Sequence, residues 1–447
     1  MQISLPDDIK YIINTFEYSG YGAYVVGGCV RDSLLKKEPV DWDICTTALP
    51  EETIGCFRGH RIIETGLQHG TVTLIINDIH YEITTFRIDG LYSDNRRPDT
   101  VNYTDSLIED LSRRDFTINS MAYNPKVGIV DYFDGLVDIK MKIIRCVGKA
   151  EDRFQEDALR IMRALRFASE LGFSLDKNTV AAMVKKKHLL QKIAAERISD
   201  ELNRFLVGEN VSSVLLSHIP IITEVIPEFL ETVGFDQNTP YHCYDVFTHI
   251  AKSIDFAPRD IIIRLALFLH DITKPQHYTE KDGIGHFRGH PQTGSDKAEG
   301  ILSRLKYNNK IKKAVTELIL YHDTEIIPER KLIKHWLNIL GEVRFRQLLE
   351  VKRADALART PEFAGKRLAV ISEIESMTEI IIKQEQCFCL KDLSVSGKDL
   401  IAEGISEGKD IGNVLNHLLD VVISEELPNE IEPLLAESHR FILSSNK

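Results

Sequence analysis

Gly27-Gly28-Cys29-Val30-Arg31-Asp32 is followed shortly by Asp41-Trp42-Asp43. Adjacent glycines let main-chain N–H groups approach a triphosphate with no side chain between them, and a helix beginning near Arg31 brings its positive end to the same place. Asp41 and Asp43 are two apart, so on a strand both carboxylates project from one face, an oxygen pair suited to Mg2+. One or two such ions can bridge a nucleotide's phosphates to an attacking hydroxyl. Order and spacing together therefore predict a site of nucleotidyl transfer.

Further residues can complete that chemistry. In His80-Tyr81-Glu82-Ile83-Thr84 the apolar residues fall on one strand face and leave Glu82 on the other, as a third acid to hold metal or accept the proton of a 3′-hydroxyl. The alternative is an exposed strand residue. In Arg113-Arg114-Asp115-Phe116-Thr117-Ile118-Asn119 the arginines, Arg114 above all, can reach a triphosphate, and Asp115 or Asn119 a ribose.

A helix spanning Glu156 to Phe167 would set Asp157 and Arg160 on neighbouring turns of one face, with Arg163 and Arg166 continuing the stripe. Cytosine and adenine both present an exocyclic amine beside a ring-nitrogen acceptor. A carboxylate accepting from the amine and a guanidinium donating to the nitrogen would favour C and A over U and G, at roughly 1–3 kcal/mol per good pair. The alternative is an ordinary i, i+3 ion pair on a solvated helix.

The elements that must carry these residues follow from periodicity. Strands are expected at Tyr24–Val26, Trp42–Cys45, Arg61–Glu64, Thr71–Ile76, His80–Arg87 and Gly128–Asp131, and a helix from Asp32. Asp89 to Pro98 is polar and turn-rich, the composition of a mobile loop. Beyond Glu151 apolar residues recur at helical spacing and the remainder is expected to be essentially all helix. Domains are expected at 1–150, 151–238, 239–360 and 361–447.

The whole chain sets broad limits. It has 447 residues, 43% of them hydrophobic, and a net charge of −12, which argues against a protein that coats nucleic acid by electrostatics alone but not against a local basic surface. Candidate patches are Arg153 to Arg166, Lys185 to Lys187 and Arg304 to Lys313. The start of the chain lacks a basic stretch followed by an apolar one, and no run approaches a membrane span. Seven scattered cysteines without a C-x-x-C pair read as reduced thiols, and a cytoplasmic location is expected.

The motifs Gly27-Gly28-x-Val30-Arg31-Asp32, Asp41-x-Asp43, Arg113 to Asn119, Asp131-x-x-Asp134-Gly135 and Glu156-Asp157-x-x-Arg160-x-x-Arg163-Ala164-x-Arg166-Phe167 occur in order and end with Glu196-Arg197-Ile198-x-x-Glu201-Leu202. This pattern resembles the bacterial-type (class II) CCA-adding tRNA nucleotidyltransferases and their poly(A) polymerase relatives. The resemblance implies an α+β architecture: a mixed α/β, polymerase-beta-like nucleotidyltransferase head before an all-helical region. It implies addition of CCA to the tRNA 3′ end from CTP and ATP, with Mg2+ on Asp41 and Asp43. Gly28, Arg31 and Arg114 would bind the nucleotide, Asp157 and Arg160 read its base, and Arg163 and Arg166 support them. The Asp89 to Pro98 segment looks like the loop of family members that add the terminal A. An A-only enzyme or a poly(A) polymerase would keep it too.

A second constellation comprises His249, His270-Asp271, His290 and His322-Asp323. Leu269 to Pro275 looks like the HD metal-phosphohydrolase signature, with Thr273 where glycine is usual. His249, His270, Asp271 and Asp323 would then hold a transition metal such as Mn2+, Ni2+ or Fe2+ in an HD-type domain, and a bound water could attack a phosphate. The alternatives are hydrolysis as the main activity and a relic fold retained as a tRNA-facing scaffold.

Overall fold

The computed structural model describes residues 2–90, 100–384, 386–405 and 408–445. It divides into two compact units, Met1–Pro227 and Glu228–Lys447.

The first unit opens on α1 (Asp7–Tyr18), which turns Ile9, Ile12, Ile13 and Phe16 inward at helical spacing. Then come β1 (Ala23–Val26), α2 (Gly28–Leu34), β2 (Asp43–Thr46), α3 (Pro50–Cys56), β3 (Arg61–Ile63), β4 (Thr71–Ile76) and β5 (Ile79–Thr85). A small hairpin of β6 (Arg87–Asp89) and β7 (Val101–Tyr103) and the short α4 (Leu107–Ser112) precede β8 (Met121–Asn124) and β9 (Gly128–Asp131). The main sheet has seven strands in the order β3-β4-β5-β2-β1-β8-β9. Its centre is antiparallel between β1 and β2, with Val26 opposite Asp43, and parallel between β2 and β5, with Ile44 beside Ile83. One step along that register sets Asp43 beside Glu82. Alternation on β4 and β5 buries Val72, Leu74, Tyr81 and Ile83 against α1 and α3, which leaves Glu82 exposed.

Three local expectations change. The helix after the glycines starts at Gly28 instead of Asp32, so both Gly28 and Arg31 lie within it. Strand β2 starts at Asp43, and Asp41 lies in the extended segment just before it. The strand β8 was not expected, because all four of its residues are buried and it shows no polar alternation.

After α5 (Gly135–Met141), the helices α6 (Ala150–Glu156), α7 (Leu159–Leu171), α8 (Lys177–Lys186) and α9 (Ala195–Leu206) continue the unit. The expected single helix from Glu156 to Phe167 is in fact two, broken at Asp157, whose backbone is extended (φ −135, ψ 104).

The second unit is helical, with a short hairpin of Thr279–Lys281 and Ile284–His286 as an exception to the all-helix expectation. Its helices include Val246–Asp255, Ile261–Leu269, His290–Arg304, Asn309–Tyr321, Arg330–Leu357 and Pro361–Lys383. The run Arg330–Leu357 is broken at Gly341, where φ is 70 and ψ 161. Among the described residues no helix is long and apolar enough to cross a membrane. The loop expected at Asp89 to Pro98 lies, beyond Gly90, outside the described residues.

Candidate active site

A cleft of about 600 Å3 opens in the first unit at the C-terminal end of β1, the N-terminal end of β2 and the start of α7. Among the described residues eight arginines and six carboxylates line it, so a chain of net charge −12 nevertheless presents a locally cationic site. Asp41, Asp43, Gly28, Arg31, Arg114, Asp157, Arg160, Arg163 and Arg166 all line this cleft. Glu82 stands one strand beyond Asp43, on the same sheet face, outside the lining.

At one end are the carboxylates. Burial pushes the Asp43 carboxyl above the ordinary value, the nearby Arg114 opposes the shift, and the charges of Glu82 and Asp41 add to it. Three acids with one facing arginine leave negative charge in excess, the condition that a divalent cation relieves, so the residues present fit a metal ion. Gly27 sits against this group with φ +80, and a Cβ there would lie 3.1 Å from Arg114 Nη1 and 3.9 Å from Asp43 Oδ2. The positive φ requires glycine at this turn, and a Cβ there would also press on the Arg114 guanidinium.

The arginines are held by acids behind them. Arg114 pairs with the fully buried Asp110 at 3.3 Å. Arg31 donates from Nε and Nη2 to Asp32 at 2.8 and 2.9 Å and from Nη1 to Asn119 Oδ1 at 2.6 Å. Each terminal nitrogen keeps one further hydrogen for an incoming group. Asn119 in turn donates to Asp115 Oδ1 at 3.1 Å, and Asp115 Oδ2 accepts from Arg163 Nε and Nη2 at 2.9 and 2.6 Å. Burial alone would raise the Asp115 carboxyl, but Arg163 and Arg160 hold it down at about 2. Asp115 and Asn119, considered for ribose recognition, are thus the links that tie Arg163 to Arg31.

Asp157 and Arg160 both face the cleft but do not pair with each other. Asp157 Oδ2 accepts from Arg197 Nη2 at 2.9 Å, and its Oδ1 accepts from the Leu159 N–H at 3.0 Å. Arg160 Nη1 donates to Glu156 Oε2 at 2.7 Å and Nη2 to the Arg113 carbonyl at 3.0 Å. The simple i, i+3 ion pair is therefore absent. Arg166 pairs with Glu201 at 3.0 Å. Arg31, Arg163 and Arg166 pack on the Phe167 ring at 5.0, 5.4 and 4.2 Å from its centroid, a shared cation–π platform. Sequence reasoning assigned no role to Phe167, Arg197, Glu201 or Arg204. The signal for Arg197 and Glu201 was the Glu196 to Leu202 motif, which α9 turns toward α7, and that for Phe167 was the end of the Glu156 to Phe167 motif; Arg204 lies in neither.

In the second unit the histidines converge. His249, His270, Asp271, His290 and His322 are all at most 3% exposed. Asp323 is not among them: its side chain is 43% exposed and faces Arg359 at 3.9 Å. The acid that fills the expected place is Asp355, whose Oδ1 lies 2.9 Å from His249 Nε2. Asp323 points away because His322, next to it at the end of Asn309–Tyr321, takes the inward direction.

Three family models match the chain: the poly A polymerase head domain over residues 23–145, the RNA and SrmB-binding site of polymerase A over 172–231, and tRNA nucleotidyltransferase domain 2 over 289–437. The CCA-adding enzyme of Lactobacillus delbrueckii subsp. bulgaricus is 33% identical over 94% of this chain and 93% of its own. That of Levilactobacillus brevis is 33% identical over 97% and 98%. The Bacillus stearothermophilus CCA-adding enzyme in complex with CTP superposes with a TM-score of 0.72 at 28% identity, over 99% of this chain and 100% of that one. The Thermotoga maritima CCA-adding enzyme complexed with tRNA shares the fold, at a TM-score of 0.62 and 19% identity over the full length of both chains. A sheet-borne carboxylate cluster, an arginine-lined cleft and relatives matched along nearly their whole length lead to one assignment: the chain belongs to the CCA-adding enzyme family.

Proposed function

We propose that this chain adds C, C and A without a template to the 3′ end of tRNA, consuming CTP and ATP and releasing pyrophosphate. The observation that carries this reading is that Asp41 and Asp43 share one cleft with Asp157 and Arg160, so one nucleotide can meet the acids with its phosphates and the other pair with its base. Asp41 and Asp43 would hold Mg2+, with Glu82 as the third acid; when bound, the metal supplies charge neutralisation at the α-phosphate and activates the attacking hydroxyl.

The other steps belong to the chain's own groups. Arg31 and Arg114, along with the main chain at Gly28, receive the triphosphate. Asp157 accepts from the exocyclic amine of C or A, and Arg160 donates to the adjacent ring nitrogen. Arg163 and Arg166 hold the Phe167 face. The tRNA 3′-hydroxyl attacks the α-phosphorus in line, its proton passes to a carboxylate oxygen, and the bond to pyrophosphate breaks. tRNA as substrate implies a cytoplasmic location, in keeping with seven free cysteines.

The test supplies tRNA transcripts ending at the discriminator base, at C or at CC, each with CTP, ATP or both, and resolves products at single-nucleotide length. Two C followed by one A is the expected result. A alone on the CC-ended transcript would mean an A-adding enzyme, a long A ladder a poly(A) polymerase, and no extension would overturn the proposal.

A further inference from the structure

Phe167 has no polar atom to offer a nucleotide, yet it lines the cleft. We infer that it is a positioning residue: the π-electrons of its ring hold Arg31 in place, and through Arg31 they set the affinity for the triphosphate. This rests on the reading, given above, that Arg31 receives the triphosphate.

Three guanidinium groups share this one ring, with the Cζ atoms of Arg166, Arg31 and Arg163 at 4.2, 5.0 and 5.4 Å from its centroid. Arg31 and Arg166 are buried, as is Phe167 itself. Like charges gathered away from water repel one another strongly. Burial pushes the Arg166 guanidinium below the ordinary arginine value, Glu201 opposes the shift and Arg163 adds to it. Each of the three has an acid partner, Asp32 for Arg31, Asp115 for Arg163 and Glu201 for Arg166. The negative face of the ring adds an attraction directed at the same place. A saturated side chain would fill the space and leave the repulsion without that counterweight.

Arg31 depends on the ring most. Arg163 and Arg166 lie on α7, as Phe167 does, so their main chain is already fixed relative to the ring. Arg31 comes from α2, and its acid, Asp32, is the next residue of that same helix. That pair ties the guanidinium to α2 but not to the far wall of the cleft. Asn119 Oδ1 at 2.6 Å and the Phe167 ring make the tie across. The ring is itself set at right angles to the fully buried Phe116, with centroids 5.8 Å apart and planes at 85°. Arg160 stands two turns earlier on α7, about 10 Å along its axis, so the ring bears on the phosphates and not on the choice of base.

The experiment places, at Phe167 alone in the full chain, phenylalanine analogues with one, two and three ring fluorines, which withdraw electron density from the ring face while nearly preserving its size. Calorimetry measures the dissociation constant for CTP, tRNA extension gives KM for CTP and for tRNA, and thermal melting follows the fold. The CTP dissociation constant should rise stepwise with fluorine number, roughly 10-fold over the series, while the tRNA KM and the preference for CTP over UTP stay within about twofold. Phe167→Leu should lose at least as much affinity as the full series. In an Arg31→Ala background the fluorines should have no effect, because the ring acts through Arg31. A flat fluorine series beside a weakened Phe167→Leu would show that the side chain serves packing alone and overturn the inference. A fluorine effect that persists in Arg31→Ala, falls on the tRNA KM or follows the melting temperature would do the same. A parent chain that binds CTP without extending tRNA would sink the transfer reading and leave the fluorine series to decide this one; a parent that binds no CTP would sink both.

Discussion

Arg197 reaches Asp157 with both terminal nitrogens, Nη2 at 2.9 Å from Oδ2 and Nη1 at 3.5 Å from Oδ1. The carboxylate proposed to read the base is thus aimed by an arginine of α9 and not by Arg160, its neighbour in sequence. A charge-assisted contact of this kind is worth about 1.5–3 kcal/mol. Arg197→Ala should therefore lower kcat/KM for CTP and ATP by roughly 10- to 100-fold. It should also narrow the preference over UTP, because Asp157 then keeps the Leu159 N–H on Oδ1 but loses the arginine that aims Oδ2. Arg197→Lys, which keeps charge but not the two-nitrogen grip, should fall between. Incorporation measured nucleotide by nucleotide decides it, and unchanged selectivity in Arg197→Ala would remove Asp157 from base reading.

Asp43 carries its charge in a place that disfavours charge. Its carboxyl is raised by burial, with Arg114 opposing and Glu82 and Asp41 reinforcing the shift. A raised folded-state value means that the cost to the folded state develops as pH climbs through the raised value and disappears at lower pH. Without a cation at neutral pH, Asp43→Asn should melt at the same temperature as the parent or higher, while nucleotide incorporation drops by at least about 1,000-fold. Thermal melting in EDTA beside a primer-extension assay tests both halves. A melting temperature several degrees lower would show that Asp43 is held by contacts other than those described.

Glu82 lies beside Asp43 in the parallel register of β2 and β5, exposed, and without a place in the cleft lining. If it is the third acid, Glu82→Gln should reduce kcat by roughly 100-fold and leave the nucleotide KM nearly unchanged, since it would act on the attacking hydroxyl side. Single-turnover extension at saturating nucleotide measures this directly. A rate within twofold of the parent would return Glu82 to the status of a solvated strand residue.

Local spacing made the head's central strands and the cleft residues legible, because glycine turns, alternating strands and paired acids act over a few residues. What it could not show depends on partners distant in the chain. Asp157 and Arg160 do share a face of the cleft, but through a helix break and through Arg197 and Glu156, not through a continuous helical stripe. Strand β8 escaped because burial on both faces erases alternation. At the histidine cluster, the resemblance to the HD signature pointed to Asp323, next to His322, whereas the acid beside His249 is Asp355, which arrives from the helix Arg330–Leu357 with no local mark in the sequence.

The chain of contacts from Arg163 through Asp115 and Asn119 to Arg31 makes the last prediction. Asp115 is 8% exposed and its carboxyl is held at about 2, mainly by Arg163 and Arg160 against the cost of burial. A depressed folded-state value contributes stability above the unfolded value, here roughly 2 kcal/mol, and that contribution is lost as pH falls from about 4 toward 2. Arg163→Ala removes the first of those charges and leaves the buried carboxylate to titrate upward. Its melting temperature should fall relative to the parent at neutral pH, and the gap should close as pH drops below about 4, where the parent loses the same interaction. Because Asn119 then loses the anchor of its own partner, Arg31 should be less well placed and the KM for both nucleotides should rise. Thermal melts across that pH range, paired with nucleotide KM values at neutral pH, test the two effects together. A constant stability gap down to the lowest pH would mean that Arg163 acts through its packing on Phe167 and not through Asp115.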